Sequence, residues 1–196
     1  MKEKFLKGYS FTLFLFVIFI TSSVIGWVYE VLTIMIENQH GFQNRGVLFG
    51  PYLPIYGFGV LLLVATVNPI RKIPMSGLKD KSRLLEFLVK LVLVFIATVA
   101  VTTLVELLAT YLISPGKWVE GEALWFYSPN EGYDINFQGR IALKSSLRFG
   151  LGGSLLLYTV YPLLNRVCKR DNKKFIVIAT ILLLVFLADL VFTYVF

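Results

Sequence analysis

Five apolar stretches, each long enough to cross a bilayer, leave this chain one kind of fold. They run approximately from 9 to 36, 47 to 68, 86 to 114, 141 to 166 and 173 to 196, and a crossing helix needs about 20 mainly apolar residues. With 57% of residues hydrophobic and only 16% charged, no soluble domain fits anywhere in the chain, because globular domains run near a quarter charged. The expected fold is all-α: a polytopic transmembrane helix bundle of about five spans, one transmembrane domain over 1–196, multi-pass in the cell (plasma) membrane. The first stretch follows Lys2, Lys4 and Lys7 as a signal peptide would. It far exceeds the roughly 7 to 15 residues of a signal's apolar core, so it is expected to remain as a span.

Orientation follows from the connections, because cytoplasmic loops carry excess lysine and arginine. The amino terminus holds Lys2, Lys4 and Lys7; the second connection holds Arg71, Lys72, Lys79, Lys81 and Arg83; the fourth holds Arg166, Lys169, Arg170, Lys173 and Lys174. The intervening connections are poorer: Arg45 with Glu37 in the first, and Lys117 and Arg140 against Glu120, Glu122, Glu131 and Asp134 in the third. This alternation puts the amino terminus inside and the carboxyl terminus outside. The formal charge of +7 would suggest nucleic acid in a soluble protein. Here it is accounted for by orientation, and no nucleic-acid partner is expected.

Span two is irregular at its start. The segment GVLFGPYLPIYGFG (46 to 59) puts Gly50, Pro51, Pro54, Gly57 and Gly59 at membrane depth, where proline removes a donor and glycine weakens a helix. Broken backbone is tolerated there only where protein buries it or water lines it. The segment reads as a broken or re-entrant start to the span; a plain loop followed by a short helix from Ile55 to Asn68 fits the same residues. The third connection, 115 to 140, carries Trp118, Trp125, Phe126, Tyr127 and Tyr133, aromatics that favour the membrane interface and suggest a cap on the outer face.

Charges inside the spans need a reason, since each costs roughly 2.5 to 3.5 kcal/mol at a helix centre. Glu30 lies in span one, Glu106 in span three, Asp189 in span five, and Arg140, Lys144 and Arg148 at the start of span four. Counted from the cytoplasmic ends at 1.5 Å per residue, the three acids stand roughly 24 to 32 Å up, in the outer half. Span four runs downward, so its three cations fall in the same layer. Residues four apart share a helix face, which gives the stripes Ser22, Gly26, Glu30 and Thr98, Thr102, Glu106, Thr110 and Arg140, Lys144, Arg148, Gly152. Facing one another they would form a polar chamber open to the outside, with Asp189 and Thr193 as a further wall. The competing interpretation makes them structural ion pairs, Glu30 and Glu106 neutralising Lys144 and Arg148.

Other features carry less. Ser146, Gly150, Gly153 and Ser154 approximate small-xxx-small spacing, a packing signal. His40, beside Asn38, Asn44 and Arg45, is a remote general-base candidate, and Cys168 is a lone thiol among basic residues. There is no P-loop, HExxH, GxSxG or cysteine–histidine cluster, so no ATPase, protease or metal chemistry and no cofactor is expected of this chain.

The segments GWVYE (26 to 30), NRGVLFGPYLPIYGFG (44 to 59), INFQGRIALKSSLRFG (135 to 150) and YPLLN (161 to 165) resemble the ABC-transporter permease family of the CmpB, or type IV, group of bacterial membrane proteins. The resemblance spans the first four stretches and includes Asn136, Gly139, Arg140, Ile141 and Leu143 of an N-x-x-G-R-I-x-L pattern. Glu30, Arg45, Tyr56, Asn136 and Arg140 belong both to these segments and to the charged layer. Neither basic loop (69 to 85, 166 to 174) carries the EAA-type pattern with which ABC importer permeases contact their ATPase.

Three functional classes follow. In the first, a membrane transport component uses the chamber to hold an anionic or lipid-headgroup ligand on Glu30, Arg45, Tyr56, Glu106, Asn136, Arg140, Lys144, Arg148 and Asp189, with span two as a gate. In the second, a membrane-embedded enzyme acts on a phospholipid or lipid-linked substrate. In the third, an accessory or sensor subunit binds a headgroup. The partners expected are membrane lipids, an ATPase or other membrane subunit, and a second copy of the chain as a homo-oligomer.

Overall fold

The computed structural model describes residues 2–37, 41–75, 77, 82–123 and 125–195. Five helical segments are long and apolar enough to cross a membrane: Gly8–Ile36, Pro54–Lys72, Arg83–Ile113, Leu143–Arg170 and Asn172–Val195. His40 and Asn38 lie outside the described residues. The contacts divide the chain into two compact units, Met1–Leu61 with Tyr158–Phe196, and Leu62–Leu157.

In the first unit, helix α1 (Lys2–Glu37) packs along the last helix of the chain, numbered α6 (Asn172–Val195). The link is polar near the start of α6 and aromatic further along. Ser10 donates to Asn172 Oδ1 at 2.7 Å, and Tyr9 and Thr180 share a hydroxyl hydrogen bond of 3.1 Å. Phe16 and Phe19 both meet Phe186, and Phe19, Ile20, Leu48 and Tyr52 form a buried cluster. Asp171 starts α6 by accepting the Lys174 N–H at 3.1 Å, the usual role of an aspartate at a helix N-cap. Helix α5 (Val160–Arg170) lies just before it and ends in Lys169 and Arg170, cations that complement the negative end of the helix dipole.

Helix α2 (Pro54–Thr66) begins seven residues later than the 47-residue start read from hydropathy. Residues 47–51 bend instead of coiling, and Pro54 opens the helix, a position where its missing N–H costs nothing. The span is completed by a 3₁₀ segment, Asn68–Lys72. Its start is broken, as the glycine and proline pattern predicts, with the helix itself close to the Ile55 to Asn68 alternative.

The second unit is built on α3 (Arg83–Ile113) and α4 (Leu143–Tyr158). Ser82 caps α3 by accepting the Leu85 N–H at 3.4 Å, and Glu86 pairs with Lys90 at 2.6 Å one turn on. Along α3 the four-residue spacing separates two faces. Val94, Thr98, Glu106 and Thr110 are buried, whereas Leu84, Leu88, Val92, Ile96, Leu104, Leu108 and Leu112 are exposed. Polar groups inside and leucines outside is the arrangement a lipid solvent selects. The small residues of α4 face inward: a Cβ on Gly153 would come within 2.7 Å of both Leu63 and Thr98 side chains, and one on Gly150 would collide with Val99. They are packing residues, as their spacing implies. Helices α4 and α5 are separated at Thr159. Pro162 supplies no N–H and its ring crowds the carbonyl four residues back, which is Tyr158.

Between α3 and α4 the only strands among the described residues, β1 (Asn136–Phe137) and β2 (Ile141–Ala142), form a short antiparallel hairpin. Its turn needs glycine at Gly139, where φ is +66° and an added Cβ would collide with the Phe126 ring.

Candidate functional site

The hairpin and the aromatic connection fold back onto the ends of α3 and α4. The Tyr127 amide donates to Gly139 O at 2.9 Å, the Leu143 amide to Ile135 O at 2.9 Å, and Trp125 Nε1 to Arg140 O at 3.2 Å. Asn136 braces the turn from within: its Oδ1 accepts the Gly139 N–H at 3.0 Å and its Nδ2 donates to Tyr133 O at 2.8 Å. Asn136 is thus a scaffold for its neighbours.

Tyr127 carries the connection into the membrane helices. Its hydroxyl donates to Glu106 Oε1 at 2.5 Å and shares a 2.6 Å hydrogen bond with Ser145 Oγ. One phenol therefore joins the buried carboxylate of α3, the first turn of α4 and the loop. Tyr127→Phe is expected to cost about 2 kcal/mol, because hydrogen bonds to charged groups contribute more than neutral ones. A thermal melt in detergent measures the loss, and an unchanged midpoint would mean the bridge does not bear on stability. The threonines of the same face satisfy themselves locally, Thr98 on Val94 O at 2.7 Å and Thr110 on Leu107 O at 2.7 Å.

Arg140 sits in the hairpin turn, one turn short of α4, so it does not share the helical stripe with Lys144 and Arg148. It is 3% exposed. Its Nη2 donates to Gly116 O at 2.6 Å and its Nη1 to Ser114 O at 3.4 Å. The guanidinium lies over Tyr111, 4.2 Å from the ring centroid, and 5.3 Å from that of Trp118. No described carboxylate of its unit forms an ion pair with it. Lys144 is exposed, with Nζ 5.0 Å from the Tyr133 ring, and Arg148 is half-buried on α4.

The first unit holds its own carboxylates. Glu30 accepts the Tyr56 hydroxyl, and Gly26, one turn earlier, leaves the space in which that ring lies, since a Cβ there would collide with it. Asp189 accepts the Phe49 N–H at 3.2 Å, the Gly50 N–H at 2.9 Å, the Tyr52 hydroxyl, and the Thr193 hydroxyl at 3.3 Å. It gathers the broken backbone ahead of α2. Arg45 is exposed in the first connection, where Asn44 accepts from Trp27 Nε1 at 2.7 Å.

Sequence reasoning therefore selected the charged residues and missed most of their partners. Trp118 and Tyr127 were readable only as interfacial aromatics, Tyr52 and Tyr111 only as residues within spans two and three, and the carbonyls of Ser114 and Gly116 have no sequence signal at all.

Five membrane-length apolar helices define a multi-pass integral membrane protein. A family model described as "Putative ABC-transporter type IV" matches residues 17–194. The chain belongs to that family. No curated protein and no solved structure matches it.

Proposed function

We propose that this chain is the membrane-spanning component of a transport system whose ATP hydrolysis is supplied by a separate subunit. The observation that carries this is the match over residues 17–194, which includes all but the first turns of α1 and nearly all of the other spans. In this reading the amino terminus is cytoplasmic and the carboxyl terminus external. The basic clusters at 71 to 83 and 166 to 174 then face the ATPase. Within the second unit, Arg140, Lys144 and Arg148 attract an anionic ligand, while Asn136, and Glu106 through Tyr127, hold the loop that carries Arg140. In the first unit, Arg45 adds an exposed cation, and Glu30, Tyr56 and Asp189 anchor the broken start of α2, the part best suited to gating.

Affinity purification of the tagged chain from its own membranes tests the proposal. The expected result is an ATP-binding subunit recovered with it, whose turnover changes when the two are reconstituted together. Recovery of the chain without any ATPase, or chemical alteration of a lipid incubated with it, would overturn the reading. Topology has its own check in Cys168, the single cysteine, which is partly exposed on α5. A membrane-impermeant maleimide should leave it unlabelled in intact cells and label it in inverted vesicles. The opposite pattern would reverse the orientation.

A further inference from the structure

The loop that carries Arg140 also forms a groove of about 500 Å³, lined by Gly116, Lys117, Trp118, Val119, Gln138 and Arg140. That volume falls in the range of small-ligand sites. Two buried donors among its lining residues have no partner: Arg140 Nε and Trp118 Nε1. Arg140 is 3% and Trp118 8% exposed, and no protein group accepts from either donor. A guanidinium removed from water without a counter-charge is costly. The two carbonyls and two aromatic faces around Arg140 offset only part of that cost, because they bring partial charges and no full negative one.

We infer that this groove is an oxyanion site that takes a phosphate group. The inference rests on the proposal that the basic residues of this unit serve an anionic ligand, and it narrows that ligand's chemistry. Nη1 and Nη2 of Arg140 each already donate one hydrogen to a backbone carbonyl, Ser114 O and Gly116 O, which holds the guanidinium in place in the loop. The donors along the groove come from four separate side chains: Arg140 Nε–H, the Trp118 indole N–H, the Lys117 ammonium and the Gln138 amide. Donors spread in this way match a tetrahedral group with several oxygens better than a flat one. Lys117 and Gln138 are exposed, so the groove can be reached from outside the fold. The phosphate can belong to a lipid headgroup or be free in solution.

The full chain, purified and delipidated in a maltoside detergent without phosphate, is titrated with inorganic phosphate, with phosphatidylglycerol, and with diacylglycerol as a phosphate-free control. Trp118 lies in the groove with its ring 5.2 Å from that of Trp125, which makes tryptophan emission the readout. We expect saturation with a phosphate-bearing probe and none with diacylglycerol. Saturation at lower concentration by phosphatidylglycerol identifies a headgroup, and at lower concentration by inorganic phosphate a free anion. Lys117→Gln should weaken binding about tenfold, the size of one charge-assisted hydrogen bond. Because Lys117 is exposed, that variant stays informative even where Arg140→Lys, expected to abolish saturation, fails to fold. Equal responses to diacylglycerol, no saturation with either phosphate probe, or wild-type affinity in Lys117→Gln would each overturn the inference. Binding without a recovered ATPase would sink only the transport proposal, and an ATPase without binding only this one.

Discussion

Asp189→Ala protein should lose about 2–4 kcal/mol of stability, with the loss concentrated in residues 47–53. The wild-type carboxylate accepts two backbone amides, from Phe49 and Gly50, together with the hydroxyls of Tyr52 and Thr193. Each buried donor deprived of its acceptor costs about 1–3 kcal/mol. The lower part of that range applies to the Phe49 amide, which is exposed. An alternative acceptor is not at hand, because this backbone is bent and cannot enter a helical ladder ahead of Pro54. Asp189→Asn should fall between wild type and alanine, since the amide keeps one accepting oxygen but turns a donor toward other donors. Amide exchange locates the effect: Phe49 and Gly50 should exchange far faster in the alanine variant. Unchanged protection at those two amides would show that Asp189 does not hold the segment.

That residue illustrates what could be read from the sequence and what could not. A lone aspartate among the leucines and valines of the last span stands out because lipid penalises it, so its presence alone announces a partner. The identity of the partner is another matter. Phe49 and Gly50 are distant from Asp189 in the chain and bind through their backbone, which no residue type advertises. Glu30 and Glu106 behave alike: each was conspicuous, and each is met by a tyrosine, Tyr56 in the first turn of α2 or Tyr127 in the connection after α3. The pairing of acids with nearby cations was the natural expectation from charge alone. Glu30 and Asp189 are met by hydroxyls and backbone amides, and Glu106 by the Tyr127 hydroxyl, partners that fix position.

The spans were legible because hydropathy acts over many residues, and local irregularity does not erase it. Their ends were less so. The bends at 47–51 lie in a stretch that reads as the start of span two, and strand β2 (Ile141–Ala142) in one that reads as the start of span four, since hydropathy does not register backbone direction. Glycine and proline do, and Gly50, Pro51 and Pro54 mark the bent segment ahead of α2. Arg140 was placed on a helical stripe by spacing alone. Gly139, with its positive φ, ends that regular spacing one residue earlier and puts the guanidinium in the turn.

Gly57→Val should prevent the first unit from closing. At Gly57 an added Cβ would lie 2.5 Å from the Phe19 ring and from Ser23 Oγ, and 2.7 Å from the Phe19 carbonyl oxygen. The ring could turn, but the carbonyl belongs to α1 and cannot move without moving the helix. The same close approach permits a direct backbone hydrogen bond from the Leu53 amide to Ser23 O at 3.0 Å. A larger residue would push α2 away, break that bond, and disturb Tyr56, which packs against Gly26 one turn further along α1 and donates to Glu30. Overpacking alone costs about 1–3 kcal/mol, and the orphaned amide adds about 1–3 kcal/mol more. The variant is expected to aggregate or to elute as a broad species on size exclusion in detergent, and any folded fraction should melt well below wild type. Gly59→Ala is the matched control on the same helix, because a Cβ there meets nothing within 4 Å. It should behave as wild type, or slightly better through helix propensity. Equal stability of Gly57→Val and Gly59→Ala would show that α1 and the start of α2 are not held at the distance their backbone hydrogen bond requires.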